Sequence, residues 1–300
     1  MIHPKTEWQG YAFAISACTL FALIPWYLQL LSPLSGHLLF GYRLLSQLLC
    51  ALIIIAVTRR SRELASCLRS PGKLGIFLLT APLIALQWWL FFWAPVSGFT
   101  VDMAMGYFLL PLTMAFTGKF VFGEQMRPLQ WLALLVAIAG VAIEFRSTGS
   151  FSWVTLVVCL GYPPYFILRR RLPLDTRLNF AAENLLLLPV GLFFLTMAAS
   201  NSEQLIPDRS YGMAWVFGAG VIGTLAMLMF VAASSRLSFT VFGLLGYLEP
   251  VLLMAVALFV LGESISDEQA VSYTMFSAAV VLVVGDSYLR WKRRAMDYNA

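Results

Sequence analysis

Residues 106–111 read GYFLLP and are followed by Gly-Glu at 123–124, whereas residues 246–250 read GYLEP and are followed by Gly-Glu at 262–263. From the two prolines onward the blocks are 139 residues apart, with one residue deleted before the second proline. Two blocks that keep the same residue types over this distance indicate an internal repeat.

The interval of 139 residues recurs outside these blocks. It places three further residues on identical ones, namely Gly10 on Gly149, Pro25 on Pro164 and Phe91 on Phe230. The sequence is therefore predicted to hold two copies of one unit, in residues 1–146 and 147–300.

Long apolar runs dominate the composition: 60% of the residues are hydrophobic and 12% are charged, against roughly 25% charged in soluble domains. The runs are continuous for about 20 residues, the length of a membrane-spanning helix, and lack the alternation of barrel strands. The sequence predicts an all-α integral membrane protein with ten transmembrane helices, at approximately 8–31, 35–58, 73–95, 100–121, 129–145, 151–169, 178–198, 211–234, 239–261 and 268–290.

Each predicted repeat holds five spans, and because five is odd the second copy is inverted relative to the first. All but three of the 20 Lys and Arg residues fall on the side of the N-terminus, the exceptions being Arg43, Arg146 and Arg209. Since cytoplasmic loops are enriched in these residues, both termini are predicted to be cytoplasmic in a bacterial inner membrane. Inverted repeats place a binding site near the midplane and permit alternating access.

Several of these blocks resemble a known family. GYFLLP at 106–111 and Gly-Glu at 123–124 resemble the RarD branch of the EamA family in the drug/metabolite transporter superfamily, as do WWLFFWA at 88–94, QWLA at 130–133 and AGV at 139–141. YLEP at 247–250 is similar to the wider EamA pattern. The resemblance implies an inverted five-plus-five carrier that works without ATP, often as an exporter. It implies a cavity between helices one to four and six to nine, with helices five and ten peripheral.

Two positions depart from the family pattern. Leu110 precedes the proline where relatives commonly have Asn, and Gln87-Trp88 stands where they commonly have Asn-Trp. Both positions are expected to face or border the cavity. The substrate of a relative is therefore not carried over to this chain.

Three of the ionisable residues within predicted spans are candidates for the site, because charge there is costly and usually functional. Arg43 offers a planar fork for an anionic substrate group, or alternatively forms a structural ion pair with Glu183. Glu183 and Glu249 are candidates for proton coupling or for binding a substrate ammonium. Glu249 has the alternative of bonding backbone groups released by Pro250.

Prolines and aromatic residues complete the candidate site. The repeat-related pairs Pro25 and Pro164, and Pro111 and Pro250, are predicted to interrupt helices one, four, six and nine and to act as hinges. The remaining substrate-binding candidates are Trp26, Tyr27, Gln87, Trp89, Trp93, Tyr107, Tyr165 and Tyr247. The aromatic ones can hold a cation over their rings or serve only in packing.

The chain carries no zinc-protease motif and no phosphate-binding loop, so we expect no metal, no cofactor, no nucleic acid and no enzymatic activity. The predicted function is secondary active transport of a small polar or zwitterionic, amino-acid-like metabolite, with proton-coupled export. The alternatives are a multidrug or lipophilic-cation exporter and an importer of a related solute. The expected partners are the solute, the lipid bilayer and coupling protons.

Overall fold

The computed structural model describes residues 4–31, 34–149, 151–172, 174–201, 203, 205, 212–259 and 266–299. Gly262 and Glu263 of the repeated block, and Arg209, lie outside these ranges. Within them the chain forms helices and no strand. The helices are α1 (Pro4–Gln29), α2 (Gly36–Val57), α3 (Ser61–Arg69), α4 (Pro71–Val96), α5 (Thr100–Phe120), α6 (Pro128–Thr148), α7 (Trp153–Arg170), α8 (Thr176–Leu186), α9 (Leu188–Ser200), α10 (Gly212–Ser234), α11 (Phe239–Leu245), α12 (Leu248–Phe259) and α13 (Asp267–Asn299).

Each of the ten predicted spans coincides with a helix or with a consecutive helix pair. Eight stretches in the described ranges are long and apolar enough to cross a membrane, and a ninth is obtained if α8 and α9 count as one bent span. Helix α7 is not among them, and it ends in Arg169 and Arg170. An all-helical, multi-pass membrane protein is therefore confirmed.

The breaks in the helices differ from those expected at the prolines. Pro25, Pro111 and Pro164 lie inside helices that continue through them, since a proline removes only one backbone hydrogen bond from its helix. A break does occur at 246–247, just before Pro250. A second one, with a bend of 43°, separates α8 from α9.

The spans pack in a regular set of pairs. Helix α1 packs against α10 and α12, α2 against α9 and α10, α4 and α5 against α7, α5 also against α11, and α6 against α13. Small residues permit the closest approaches: a Cβ atom at Gly220 would lie 2.1 Å from Ser46 Cβ, and one at Gly140 would lie 2.8 Å from Phe276 Cε1. Small residues therefore allow these helices to pack closely.

Helix α3 was not predicted. Leu64 and Cys67 are buried on one face of it, and Arg62 and Arg69 are on its exposed side. Its nine residues are too few to cross a membrane. Such a short amphipathic helix is suited to the membrane surface.

Candidate functional site

A cavity of about 400 Å³ lies between α1, α4, α5, α7, α10, α11, α12 and α13. We call it the central cavity. Its wall is mainly apolar, and eight aromatic side chains contribute to it: Phe91, Tyr107, Phe108, Tyr162, Phe166, Phe230, Phe242 and Tyr273. The size is that of a site for a small organic molecule.

Prolines and glycines shape the cavity wall. Pro25, Pro111 and Pro250 line it, as do Gly243 and Gly246. Prolines bend their helices and glycines present no side chain, so these residues open space at the centre of the bundle. The fourth predicted hinge, Pro164, is exposed, and the buried proline beside it is Pro163.

Glu249 brings a carboxyl group to the cavity wall. It lies in the first turn of α12, directly after the break in the ninth predicted span. Its carboxylate makes no ion pair within the part of the chain that the structure describes. Glu249 is therefore available to a ligand in the cavity.

Arg43 reaches a narrow recess that adjoins the central cavity. The recess measures about 50 Å³ and shares Tyr107, Tyr162 and Glu249 with the cavity wall. The Arg43 guanidinium carbon lies 5.0 Å from the ring centre of Trp88, a distance typical of cation–π contacts. Its Nε atom has no hydrogen-bond partner among the described residues. A positive and a negative side chain thus line one continuous space.

Glu183 pairs with Arg169 and not with Arg43. Its Oε1 atom accepts from Arg169 Nη1 at 3.1 Å and from the Thr80 hydroxyl at 2.8 Å. Its Oε2 atom accepts from the Tyr165 hydroxyl at 3.2 Å. The predicted ion pair between Arg43 and Glu183 is therefore not formed, because three neighbours already occupy the carboxylate.

Arg169 was assigned by sequence to the cytoplasmic group because it opens the run Arg169–Arg171. The side chain is instead 4% exposed. Tyr165 and Arg169 are four residues apart and so share one face of α7. That spacing is the signal that would have placed Arg169 beside a buried partner.

Among the aromatic candidates, Tyr107 lines the central cavity. Trp26 is 38% exposed at the protein surface. Trp89 donates from Nε1 to His37 Nδ1 at 3.3 Å, and its ring stacks on Trp93 with centroids 4.9 Å apart. The two tryptophans thus take part in packing between helices.

Four other candidates make hydrogen bonds to other helices. The Tyr27 hydroxyl donates to Trp215 O at 2.9 Å and the Tyr247 hydroxyl donates to Phe108 O at 2.9 Å. Gln87 Nε2 donates to Val157 O at 2.8 Å, and Tyr165 contacts Glu183 as described. These side chains, together with Trp26, Trp89, Trp93 and Glu183, lie outside the wall of the central cavity.

Several cavity residues were not singled out from the sequence. Tyr162 precedes the prolines of α7, and Phe91 and Phe230 are the pair related by the repeat interval. Residues that occupy equivalent positions in both repeats are expected to meet near the axis that relates them. The repeat interval could therefore have been used to predict that Phe91 and Phe230 line one cavity.

Metal ligands are not grouped in the described residues: no cluster of three or more His, Cys, Asp or Glu side chains is present there. The four cysteines are buried and unpaired. The chemistry that the site offers is recognition by one guanidinium, one carboxyl group, phenol hydroxyls and aromatic faces.

Comparison with known proteins identifies close relatives. The chain is 38% identical over 293 residues to the chloramphenicol-sensitive protein RarD of Pseudomonas aeruginosa, covering 96% of this chain and 97% of that protein. It is 30% identical to an uncharacterized transporter of Pasteurella multocida, covering 95% and 99%, and 25% identical to protein RarD of Escherichia coli, covering 96% and 98%.

A solved crystal structure shares the fold, with a TM-score of 0.70 at 15% identity over 93% of this chain and 97% of the other. No model of a protein family matches the chain.

Proposed function

Because this chain belongs to the RarD branch of the EamA drug/metabolite transporters, we propose that it is a secondary active transporter of a small zwitterionic, amino-acid-like metabolite across the bacterial inner membrane. The transporter class follows from the relatives. The substrate, the coupling ion and the direction of transport are our proposal.

The proposed architecture is ten spans in two inverted repeats, residues 1–146 and 147–300, with both termini cytoplasmic. In this scheme α8 and α9 form span seven, and α11 and α12 form span nine. The packing supports it, because contacts occur in pairs that the repeat exchanges: α1 with α10 matches α7 with α4, and α5 with α7 matches α12 with α1. The distribution of Lys and Arg supports the orientation.

A single observation supports the substrate class: Arg43 and Glu249 line the same recess beside the central cavity. Arginine binds carboxylates in a forked geometry, and the carboxylate of Glu249 attracts an ammonium group. The apolar, aromatic wall of the adjoining cavity favours a solute with an apolar body. An α-amino acid with an apolar side chain combines these three features.

Proton coupling is proposed at Glu249 and Glu183, with export as the physiological direction. Glu249 reaches the cavity directly. Glu183 acts through Arg169, since protonation of Glu183 would release the Arg169 guanidinium from its ion pair. Pro25, Pro111, Pro164 and Pro250 are the proposed hinges of alternating access.

A lipophilic-cation or drug exporter is the second candidate, and the composition of the cavity wall favours it. Glu249 and eight aromatic rings surround the space, and such walls attract organic cations. The name of the Pseudomonas relative ties that protein to chloramphenicol sensitivity. In this alternative Arg43 has only a structural role. An importer of a related solute would use the same residues with the opposite net flux.

Proteoliposomes with a pH gradient separate these functions. We expect accumulation of L-phenylalanine, and weaker transport of phenethylamine and 3-phenylpropionate, each of which lacks one of the two charged groups. Arg43→Gln should weaken L-phenylalanine binding roughly 30-fold, about 2 kcal/mol for a charge-assisted hydrogen bond. Trp26→Phe, at the exposed surface, is the matched control.

The outcome assigns the substrate class. Transport of tetraphenylphosphonium that is unaffected by Arg43→Gln, without transport of any amino acid, would support the lipophilic-cation exporter and refute the zwitterion proposal. The sign of the gradient that gives accumulation distinguishes export from import.

A further inference from the structure

A second cavity lies at the C-terminal end of α7, where α7, α8 and α10 converge. It measures about 460 Å³. Its wall includes Arg169, Asn179, Ser235 and Glu124, so that we call it the polar chamber. Phe166 lines both the polar chamber and the central cavity. The two spaces are therefore neighbours on either side of one phenyl ring.

Arg169 lines the polar chamber and carries a buried donor that is not used. Its Nη1 atom donates to Glu183, whereas its Nη2 atom has no hydrogen-bond partner within the described ranges. The side chain is 4% exposed. A buried guanidinium nitrogen without a partner is costly, so a ligand that accepts from it is stabilised.

Asn179 also lines the chamber and carries a buried acceptor that is not used. Its Nδ2 atom donates to Leu174 O at 3.4 Å, whereas Oδ1 has no partner among the residues that the structure describes. Asn179 is 3% exposed. The chamber thus combines one free donor, which is cationic, with one free acceptor, which is neutral.

Arg170, next in sequence, differs from Arg169 in that its Nη2 atom has hydrogen-bond acceptors. Its Nη2 atom donates to the carbonyls of Ser234 and Leu237. Its guanidinium carbon lies 4.9 Å from the ring centre of Phe239. Arg170 is therefore a structural residue, and recognition in the chamber falls to Arg169 and Asn179.

We propose that the polar chamber is a second binding site for an α-amino acid, whose carboxylate accepts from Arg169 Nη2 and whose ammonium donates to Asn179 Oδ1. The ligand class rests on the proposed function. An α-amino acid carries an acceptor and a donor on adjacent atoms, which matches the unpaired donor and acceptor of this wall. Displacement of Phe166 would connect this site with the central cavity.

Protection of an introduced cysteine tests the site. Ser235 lines the chamber and is exposed, and the four native cysteines are buried. In the full-length Ser235→Cys protein in nanodiscs, L-phenylalanine at ten times its Kd should slow alkylation by N-ethylmaleimide roughly tenfold, since about a tenth of the sites stay empty. Ser61→Cys, exposed on α3, should show no protection.

Second substitutions in the Ser235→Cys protein identify the residues responsible. Asn179→Leu and Arg169→Lys should abolish the protection, because the first removes the acceptor and the second removes the fork while keeping the charge opposite Glu183. Arg43→Gln should leave the protection intact. Protection that survives Asn179→Leu and disappears with Arg43→Gln would overturn the proposal, since it would originate in the central cavity.

The proposed binding site in the polar chamber and the proposed transport function can be refuted independently of each other. Uptake of L-phenylalanine by proteoliposomes without protection of Ser235→Cys refutes the chamber site and leaves transport standing. Protection without uptake supports the chamber site and refutes the transport proposal.

Discussion

The hydroxyl of Tyr247 donates to the carbonyl oxygen of Phe108 at 2.9 Å, and the two residues are 139 positions apart. The two repeated blocks align Tyr247 with Tyr107, the residue before Phe108, so the bond joins Tyr247 to the chain neighbour of its predicted counterpart. Such a contact is expected if an axis that relates the two proposed repeats passes between these helices. The bond also attaches Tyr247 to the turn of α5 that precedes Pro111, where the helix lacks one backbone hydrogen bond.

Removal of this bond should cost stability. Tyr247→Phe deletes one buried hydrogen bond and leaves the Phe108 carbonyl without that donor, so we expect a loss of about 1 kcal/mol in the free energy of unfolding. Thermal unfolding of the detergent-solubilised protein measures it. Tyr42→Phe is the matched control, because its hydroxyl bonds to Leu205 O at an exposed position and should matter less.

The buried ion pair between Arg169 and Glu183 predicts a larger effect. Arg169→Met or Glu183→Gln removes one partner of a pair whose side chains are 4% and 2% exposed. An uncompensated buried charge destabilises by about 3–5 kcal/mol. Combining the two substitutions should recover much of the loss, which a double-mutant cycle measures.

A partly exposed pair is the control for this cycle. Arg60 and Glu63 lie 3.7 Å apart with side chains that are 32% and 56% exposed, and pairs open to solvent contribute about 0–1 kcal/mol. Additive effects at Arg169 and Glu183 would contradict the coupling that their 3.1 Å contact indicates.

Close packing of α2 and α10 predicts a strong effect of adding one methyl group. A Cβ atom at Gly220 would lie 2.1 Å from Ser46 Cβ, so Gly220→Ala should destabilise by about 1–3 kcal/mol through overpacking. Ser46→Gly should rescue it by making room. At Gly75 nothing lies within 4 Å of the added atom, and Gly75→Ala should be neutral or stabilising, as thermal unfolding can verify.

The helices were predictable from the sequence because continuous apolar runs and lipid solvation leave few other structures. The partners of charged side chains were not. Arg169 belongs to a run of three arginines, which is typical of a cytoplasmic loop, yet it is buried against Glu183. The four-residue spacing from Tyr165 places Arg169 on one face of α7, but the structure alone shows that Glu183 of α8 lies against that face.

The cavity wall was only partly predictable for a related reason. Tyr107 and Glu249 lie near the repeated prolines and do line the cavity. Trp89 and Trp93 were also predicted to bind substrate, but they stack on each other instead. Sequence spacing places a side chain on a face of its helix. It does not say whether that face meets a cavity or another ring.

The placement of the two carboxylates predicts different transport defects. Glu249 lines the cavity without an ion pair among the described residues, so Glu249→Gln should abolish accumulation driven by a pH gradient while the protein remains folded. Glu183 is held by Arg169, Thr80 and Tyr165, so Glu183→Gln should lower stability as well as weaken coupling in the carriers that do fold. Solute counterflow normalised to folded protein separates the two effects. If Glu249→Gln accumulates solute normally and Glu183→Gln does not after this normalisation, the coupling group is Glu183, and Arg169 becomes the residue through which its protonation reaches the solute.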